Sequence, residues 1–244
     1  MKSDVAFEQR MKPIFGELFR RDPAGRMWLP ALLSPQSAPG SVSYETSGAI
    51  ITKPEDAFLR KYPPPAGFLR WLALHPGRLT WPDDGMRRFA PEIQLAREEH
   101  IGDFGPTPWR ARKAEAAAAI DRGETCDCEG KWWAYEGPAT IHCAVETDSL
   151  LLFILGALDK PPGDAGEWYP GRCEIFRDLD VARENAGQRN FAILLISDSP
   201  LERPSRAEAV RALHHLPPDE AERFARERIG YLLWADVRKL LQER

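Results

Sequence analysis

Residues 140–158 read TIHCAVETDSLLLFILGAL, and the two halves of this stretch carry different strand patterns. In the first half His142, Ala144 and Glu146 alternate with Cys143 and Val145, the period-two spacing that sends successive side chains to opposite faces of a sheet. The second half is apolar at nearly every position from Leu150 to Leu158. Such a run has no solvent face and is expected where both faces of a sheet are covered. It is also far too short to cross a bilayer as a helix.

The flanks extend this pair into an α/β unit. WRARKAEAAAAIDRG (109–123) joins strong helix formers to a terminal Gly123, which predicts a helix and its stop. KWWAYEG (131–137) is rich in aromatic residues and predicts a compact strand. From about Arg172, Ile175, Leu179, Ala182 and Ala186 recur along one side of a helix that Gly187 ends. NFAILLISD (190–198) predicts another buried strand. The order helix, three strands, helix, strand points to an α/β domain with a central mixed sheet flanked by helices. Pro204 and Pro218 suit the first turns of two later helices. Residues 229–234 predict a closing strand, with Asp236 near the start of a short terminal helix.

The first hundred residues are more punctuated. Phe15, Leu18 and Phe19 predict a short amphipathic helix, and the repeated Pro, Gly and Ser between Asp22 and Gly48 predict a loop or meandering arm. After the three prolines at 63–65, Phe68, Leu69, Trp71 and Leu72 predict a helix that packs on a larger surface and ends near His75-Pro76-Gly77. The expected organisation is an irregular and helical N-terminal attachment over 1–100, and an α/β core with C-terminal covering helices over 101–244.

Composition narrows the function classes. A formal charge of −4 supplies no broad attraction for nucleic acid, although a local basic groove is compatible with it. Four cysteines in the central third and no apolar N-terminal segment point to a reducing cytoplasm. No nucleophile elbow, Walker loop or dinucleotide-binding glycine pattern occurs. The partners that fit are nucleic acid or another protein, and not a membrane.

The text WWAYEGPATIHCAVETDSLLLFILGAL (132–158), followed by GEWYPGRCEIFRDLDVA (166–182), resembles the PD-(D/E)xK nuclease-like superfamily. The similarity is to bacterial members with an EG…PD…iET…llviExK…R-x-Q-x-x-R-x-L arrangement. It spans roughly residues 108–240 and is strongest from Trp132 to Val181. IGYLLWADVRKLL (229–241) looks like that group's closing strand and helix, and FLRWLALHPGRLTWP (68–82) like an upstream packing segment. The resemblance implies a restriction-endonuclease-like sandwich. In the family, an aspartate on one core strand and an acidic residue plus lysine on the next organise a divalent metal and water for phosphodiester cleavage.

Those three positions fall here at His142, Leu155 and Ala157. Leu155 offers no oxygen ligand, Ala157 no cation, and an imidazole does not ordinarily replace an anionic ligand for a hard metal. The resemblance therefore implies a catalytically degenerate binding or interaction module. Two other readings stay open. One is a Mg²⁺- or Mn²⁺-dependent phosphodiesterase with relocated carboxylates at Glu146, Asp159 and Glu174, with Glu136 a further candidate. The other is a purely structural protein-interaction domain.

Further residues invite a site. Arg172 and Arg177 match the two arginines of the family's helical motif, with Cys173-Glu174 in place of its usual Asn-Gln. With Lys160 they are candidates to hold phosphate, or else to pair with neighbouring carboxylates. Cys126, Cys128 and Cys173 with His142 or Cys143 form a weak zinc constellation, since CxC spacing is less diagnostic than paired CxxC. Trp132 and Trp133 could stack on bases, but their context favours packing. His75, His214 and His215 have no catalytic spacing and are expected to face solvent or pack locally.

Overall fold

A computed structural model of the chain describes residues 10–34, 49–80, 90–102, 109–125, 130–156, 168–169 and 171–242. Five strands form one sheet in sequence order: β1 (Phe58–Tyr62), β2 (Ala139–Glu146), β3 (Leu150–Gly156), β4 (Asn190–Ser197) and β5 (Ile229–Leu233). The pairs β1–β2 and β2–β3 are antiparallel, whereas β3–β4 and β4–β5 are parallel. This is a mixed sheet, and helices flank it on both faces.

The apolar run predicts its own place. β3 lies at the centre of the sheet, with Leu150, Leu152 and Ile154 on one face and Leu151, Phe153 and Leu155 on the other. The first face packs under α1 (Lys12–Arg21), α2 (Trp28–Leu32) and α9 (Trp234–Lys239) through Phe15, Phe19, Leu29, Trp234 and Val237. The second packs under α6 (Glu174–Ala186), α7 (Arg206–Ala212) and α8 (Pro218–Arg228) through Ile175, Leu179, Ala182, Ala209 and Phe224. A third apolar group joins α3 (Ala66–Leu74) to α5 (Trp109–Asp121) by Phe68, Leu69, Leu72, Ala116 and Ile120. A further helix, α4 (Pro91–Ile101), leans on that group through Ile101. No described helix is long and apolar enough to cross a membrane.

The helix ends follow local chemistry. Gly187 takes φ 64° and Gly123 φ 84°, conformations that cost glycine little and end α6 and α5 at the predicted positions. A capping box at α7 pairs the Ser205 hydroxyl with the Glu208 backbone N–H and the Glu208 carboxylate with the Ser205 N–H. Proline opens α8, as its missing N–H allows.

Two expectations are corrected. KWWAYEG is not a strand: Lys131–Gly137 is turn and irregular chain, and its aromatic rings serve the third apolar group, with Tyr135 buried and Trp132 and Trp133 packed alongside. The remaining antiparallel strand comes instead from Phe58–Tyr62, inside the segment expected to be irregular. That edge strand and helices α1 and α2 tie residues 10–34 and 49–62 into the same sheet and the same core as the later chain. The expected meandering arm also contains α2, where Trp28 stacks edge-on against Phe15 and Phe19.

The simple alternation of β2 also breaks. Ile141 and Ala144 share one face while Cys143 and Val145 take the other, so the period slips between 141 and 143. Across the pair, Leu59 sits between the registered partners Phe58–Cys143 and Arg60–Ile141 with φ 51°, a left-handed conformation that is strained for a leucine. One consequence is that His142 does not lie with Ala144. Its Nδ1 accepts the Gly156 backbone N–H at 3.0 Å. A Cβ added at Gly156 would meet that Nδ1 at 3.8 Å, and Met11 Cε and Trp234 Cζ2 both at 3.3 Å. The imidazole therefore borders the layer of α1 and α9.

Candidate functional site

The hairpin of β2 and β3 brings His142 beside Leu155 and Gly156, at the end of the sheet where β3 leads toward α6. Leu155 is only 5% exposed and belongs to the layer beneath α6 to α8, while His142 is engaged by the β3 backbone. Ala157 lies outside the described residues. Two of the three positions that the sequence aligns with metal chemistry are thus a sealed leucine and a histidine whose Nδ1 is already used.

Of the relocated carboxylates, Glu146 and Glu174 do not come together. Glu146 closes β2, where Arg189 Nη1 donates to its Oε2 at 2.7 Å and Arg60 donates to Oε1. Burial pushes its pKa up, but the two guanidiniums outweigh this and hold the carboxyl below its usual range. Glu146 lines a cleft of about 580 Å³ with Thr52, Lys53, Asp56 and Arg60. Glu174 lies at the other end of α6 and pairs with Arg177 at 3.2 Å. Arg189, which holds Glu146, follows the C-terminal end of α6. Twelve residue steps at about 1.5 Å separate the two ends of this helix, roughly 18 Å. Asp159 lies outside the described residues.

Arg172 and Arg177, candidates either for phosphate or for pairing with neighbouring carboxylates, both meet carboxylates of the chain. Arg172 is fully buried. Its Nε donates to Glu136 Oε1 at 2.5 Å, Nη2 to Asp180 Oδ2 at 3.1 Å and to Glu136 Oε2 at 3.3 Å, and Nη1 to the Ala212 carbonyl at 3.3 Å. The guanidinium carbon also stands 3.6 Å from the Phe68 ring centroid. One side chain therefore joins the loop before β2, α6, the end of α7 and α3. Burial alone would lower its pKa, but Glu136 and Asp180 raise it, so the guanidinium stays charged. Asp180 is completed by His215, whose Nε2 lies 3.0 Å from Oδ2. Burial would raise the Asp180 pKa, yet His215 and Arg172 hold it low. Nearby, Glu184 accepts the Ala66 and Gly67 N–H groups at 2.6 and 2.7 Å, fastening the start of α3 to α6.

Arg177 is committed to Asp178 at 3.0 Å and to Glu174. Asp178 is 1% exposed and its Oδ2 has no hydrogen-bond partner. Burial pushes its pKa up to about 7, against the opposing pull of Arg177 and with help from Glu174 and Glu136. The folded chain thus holds this proton more tightly than an ordinary aspartate with pKa 3.8 does. The stability it contributes is present at low pH and is lost as pH rises from about 4 to about 7. Asp178→Asn removes that slope. In urea melts at a series of pH values, the variant is expected to gain on the wild type across this window by on the order of 1 kcal/mol per pH unit at most, with no further change above it. A constant offset at every pH would contradict the assignment.

For zinc, Cys126 and Cys128 lie outside the described residues. Cys143 is fully buried among apolar side chains, which pushes its thiol pKa up. Burial likewise raises Cys173 at the start of α6, more than the first backbone N–H groups of the helix lower it. Among the described residues no group of three or more His, Cys, Asp or Glu side chains could hold a metal ion. Lys160 also lies outside the described residues.

Local packing explains the histidines. His215 serves Asp180, and His75 Nδ1 bonds the Trp71 carbonyl at 2.8 Å. His214 Nδ1 bonds the Tyr169 hydroxyl. A residue to which the sequence reading gave no role, His100, is fully buried. Its Nε2 lies 2.9 Å from the Ala73 carbonyl and its Nδ1 2.6 Å from the Tyr135 hydroxyl. Nε2 must donate to the carbonyl, which leaves Nδ1 of a neutral ring to accept from Tyr135. Arg97 was also missed; it donates to the Trp132 and Ala134 carbonyls and lies over Trp168, stabilising the segment that was expected to be a strand. No protein-family profile, curated protein or solved structure matches this chain, so the reading of the site rests on its own residues.

Proposed function

We propose that the chain is a catalytically silent nuclease-like domain that acts by binding a macromolecular partner. The observation that carries this reading is the state of the hairpin end: Leu155 is sealed under the helices and His142 is tied to Gly156. Hydrolysis of a phosphodiester with a hard cation needs oxygen ligands open to substrate, and neither position supplies one. The strand order supports the same reading. An antiparallel β1–β2–β3 meander joined through α6 to parallel β4 is compatible with the nuclease-like resemblance. Of the displaced carboxylates, Glu146 and Glu174 stand at opposite ends of α6 and each is paired with arginine, which disfavours a relocated metal site.

The test is incubation of the purified chain with Mg²⁺ or Mn²⁺ and single- and double-stranded DNA and RNA. No cleavage above the level of a Glu146→Gln/Glu174→Gln control is expected. Metal-dependent cleavage by the wild type that this variant loses would replace the proposal with the relocated-carboxylate enzyme.

A further inference from the structure

We infer that the surface formed by Arg78, Arg211, His214, His75 and Leu74 is a docking site for an acidic polypeptide segment of a protein partner. This deepens the binding role proposed above and rests on it. The surface is built on a parallel stack of rings. Trp71 stacks on His75 with centroids 4.8 Å apart and on His214 at 5.8 Å, and Phe68 lies nearly parallel to it at 6.2 Å. Tyr169 meets Trp71 and His214 edge-on, and its hydroxyl donates to the Arg211 carbonyl at 2.6 Å. The ends of α3 and α7 are thereby locked together, so the groups they present are already ordered before a partner arrives.

Two arginines border this stack. Arg78 and Arg211 are exposed, and among the described residues no hydrogen bond or ion pair engages either guanidinium. Elsewhere in the structure many arginines face carboxylates, as Arg60, Arg172, Arg177 and Arg189 do. The field of Arg78 is felt at both the Tyr169 hydroxyl and His214, where after burial it is the next influence, and it helps hold the imidazole below its usual pKa. Arg211 acts on Glu208, a carboxylate that is already engaged by Ser205 in the α7 capping box. A locally positive surface on a chain of net charge −4 attracts anions by proximity rather than by long-range steering.

The arrangement favours carboxylates over nucleobases. Base stacking needs a free aromatic face, whereas the Trp71 face is taken up by His75, His214 and Phe68. What reaches solvent is an exposed His75, two forked guanidiniums suited to bidentate carboxylate pairing, and Leu74, next to His75 in the chain and 38% exposed. Aromatic residues and arginine around a small apolar contact also match the composition of protein–protein hot spots. Arg211 is placed by Gly171: a Cβ there would stand 2.6 Å from Arg211 Cγ and 3.1 Å from Cδ, so the arginine stem lies against a position that only glycine leaves open.

The test uses the full chain without metal and measures fluorescence anisotropy with two labelled probes. One is a short peptide rich in Glu and Asp with interspersed Leu, and the other is a single-stranded oligo-dT. The peptide is expected to bind saturably. Arg78→Glu/Arg211→Glu should weaken it roughly tenfold or more, while Arg26→Glu, an exposed arginine elsewhere, should leave it within about twofold. Gly171→Ala keeps every charge and should weaken it by a smaller factor through displacement of Arg211. Absence of peptide binding, equal weakening by Arg26→Glu, or binding of oligo-dT in preference to the peptide would overturn the inference. Such failures leave the noncleaving reading standing, because that reading is decided by cleavage in the presence of metal.

Discussion

Replacing Arg172 with methionine is expected to destabilise the fold by about 3–5 kcal/mol, because removing one partner of a buried ion pair leaves uncompensated charge in a low-dielectric interior. For a chain of this length that corresponds to a fall in melting temperature on the order of 10 °C. The cause lies in the geometry: Glu136 and Asp180 are buried with Arg172 between them, and methionine restores packing against Phe68 but no positive charge. Arg172→Lys should recover only part of the loss, since one ammonium cannot reproduce the fork that reaches Glu136, Asp180 and the Ala212 carbonyl together. The triple variant Arg172→Met/Glu136→Gln/Asp180→Asn should be more stable than the single one, because it removes the stranded charges as well. Thermal melts and urea titrations decide the matter. An Arg172→Met protein within about 1 kcal/mol of the wild type would mean that the network is not what fastens α3 and α7 to α6, and would return Arg172 to the set of ligand-binding candidates.

That network also marks where the sequence was readable and where it was not. The apolar runs of β3 and β4 were legible because burial on both faces leaves no polar position, and α6 was legible from the spacing of Ile175, Leu179, Ala182 and Ala186. Gly187 and Gly123 were legible as stops because left-handed backbone has a preferred residue. The Arg172 cluster was hidden because two of its partners lie 36 residues away at Glu136 and 40 residues away at Ala212, distances over which no spacing rule operates. A signal of a different buried polar group was present: Asp178, the partner of Arg177, lies three residues after Ile175 and four before Ala182, on the stripe that packs inward. A carboxylate on that stripe announces a buried polar group needing a partner or a proton.

The edge strand was missed for a different reason. Phe58–Tyr62 has charged residues at Arg60 and Lys61, which suit the exposed edge of a sheet by discouraging further pairing, but which dilute the apolar alternation that identifies a strand. Leu59 compounds this. Its left-handed backbone lets Phe58 pack with the α1–α2 layer while Tyr62 packs with the opposite one, so no single period fits all five residues. KWWAYEG offered the stronger β composition and took the assignment. Its aromatic residues are large because they fill the space between α3, α4 and α5, with Arg97 binding the carbonyls that a strand would have used in a ladder. Composition reports that these rings are buried; it does not say against which element.

Leu155→Glu is expected to cost more than about 3 kcal/mol, and the way it fails bears on function. The substitution introduces the kind of acidic side chain found at this position in the pattern that the sequence resembles. At 5% exposure under α6 to α8, however, a carboxylate loses its hydration without gaining a partner, and it will take up a proton rather than ionise. Adding His142→Asp should not rescue it. The histidine ring now accepts the Gly156 N–H, and an aspartate there would place a second acidic group beside the first without giving either a cationic partner among the described residues. Both variants should therefore melt well below the wild type, with Mg²⁺ or Mn²⁺ producing no upward shift, because a cation bound by the native state alone would have to raise the transition. An opposite result, near-native stability for Leu155→Glu and a metal-dependent rise for the pair, would require the hairpin end to open toward solvent. It would then be a site that lost its ligands and kept its shape. Loss of stability without metal response instead places Leu155 in the core as a packing residue. In that case the docking proposed at the Arg78 and Arg211 surface makes no demand on this position.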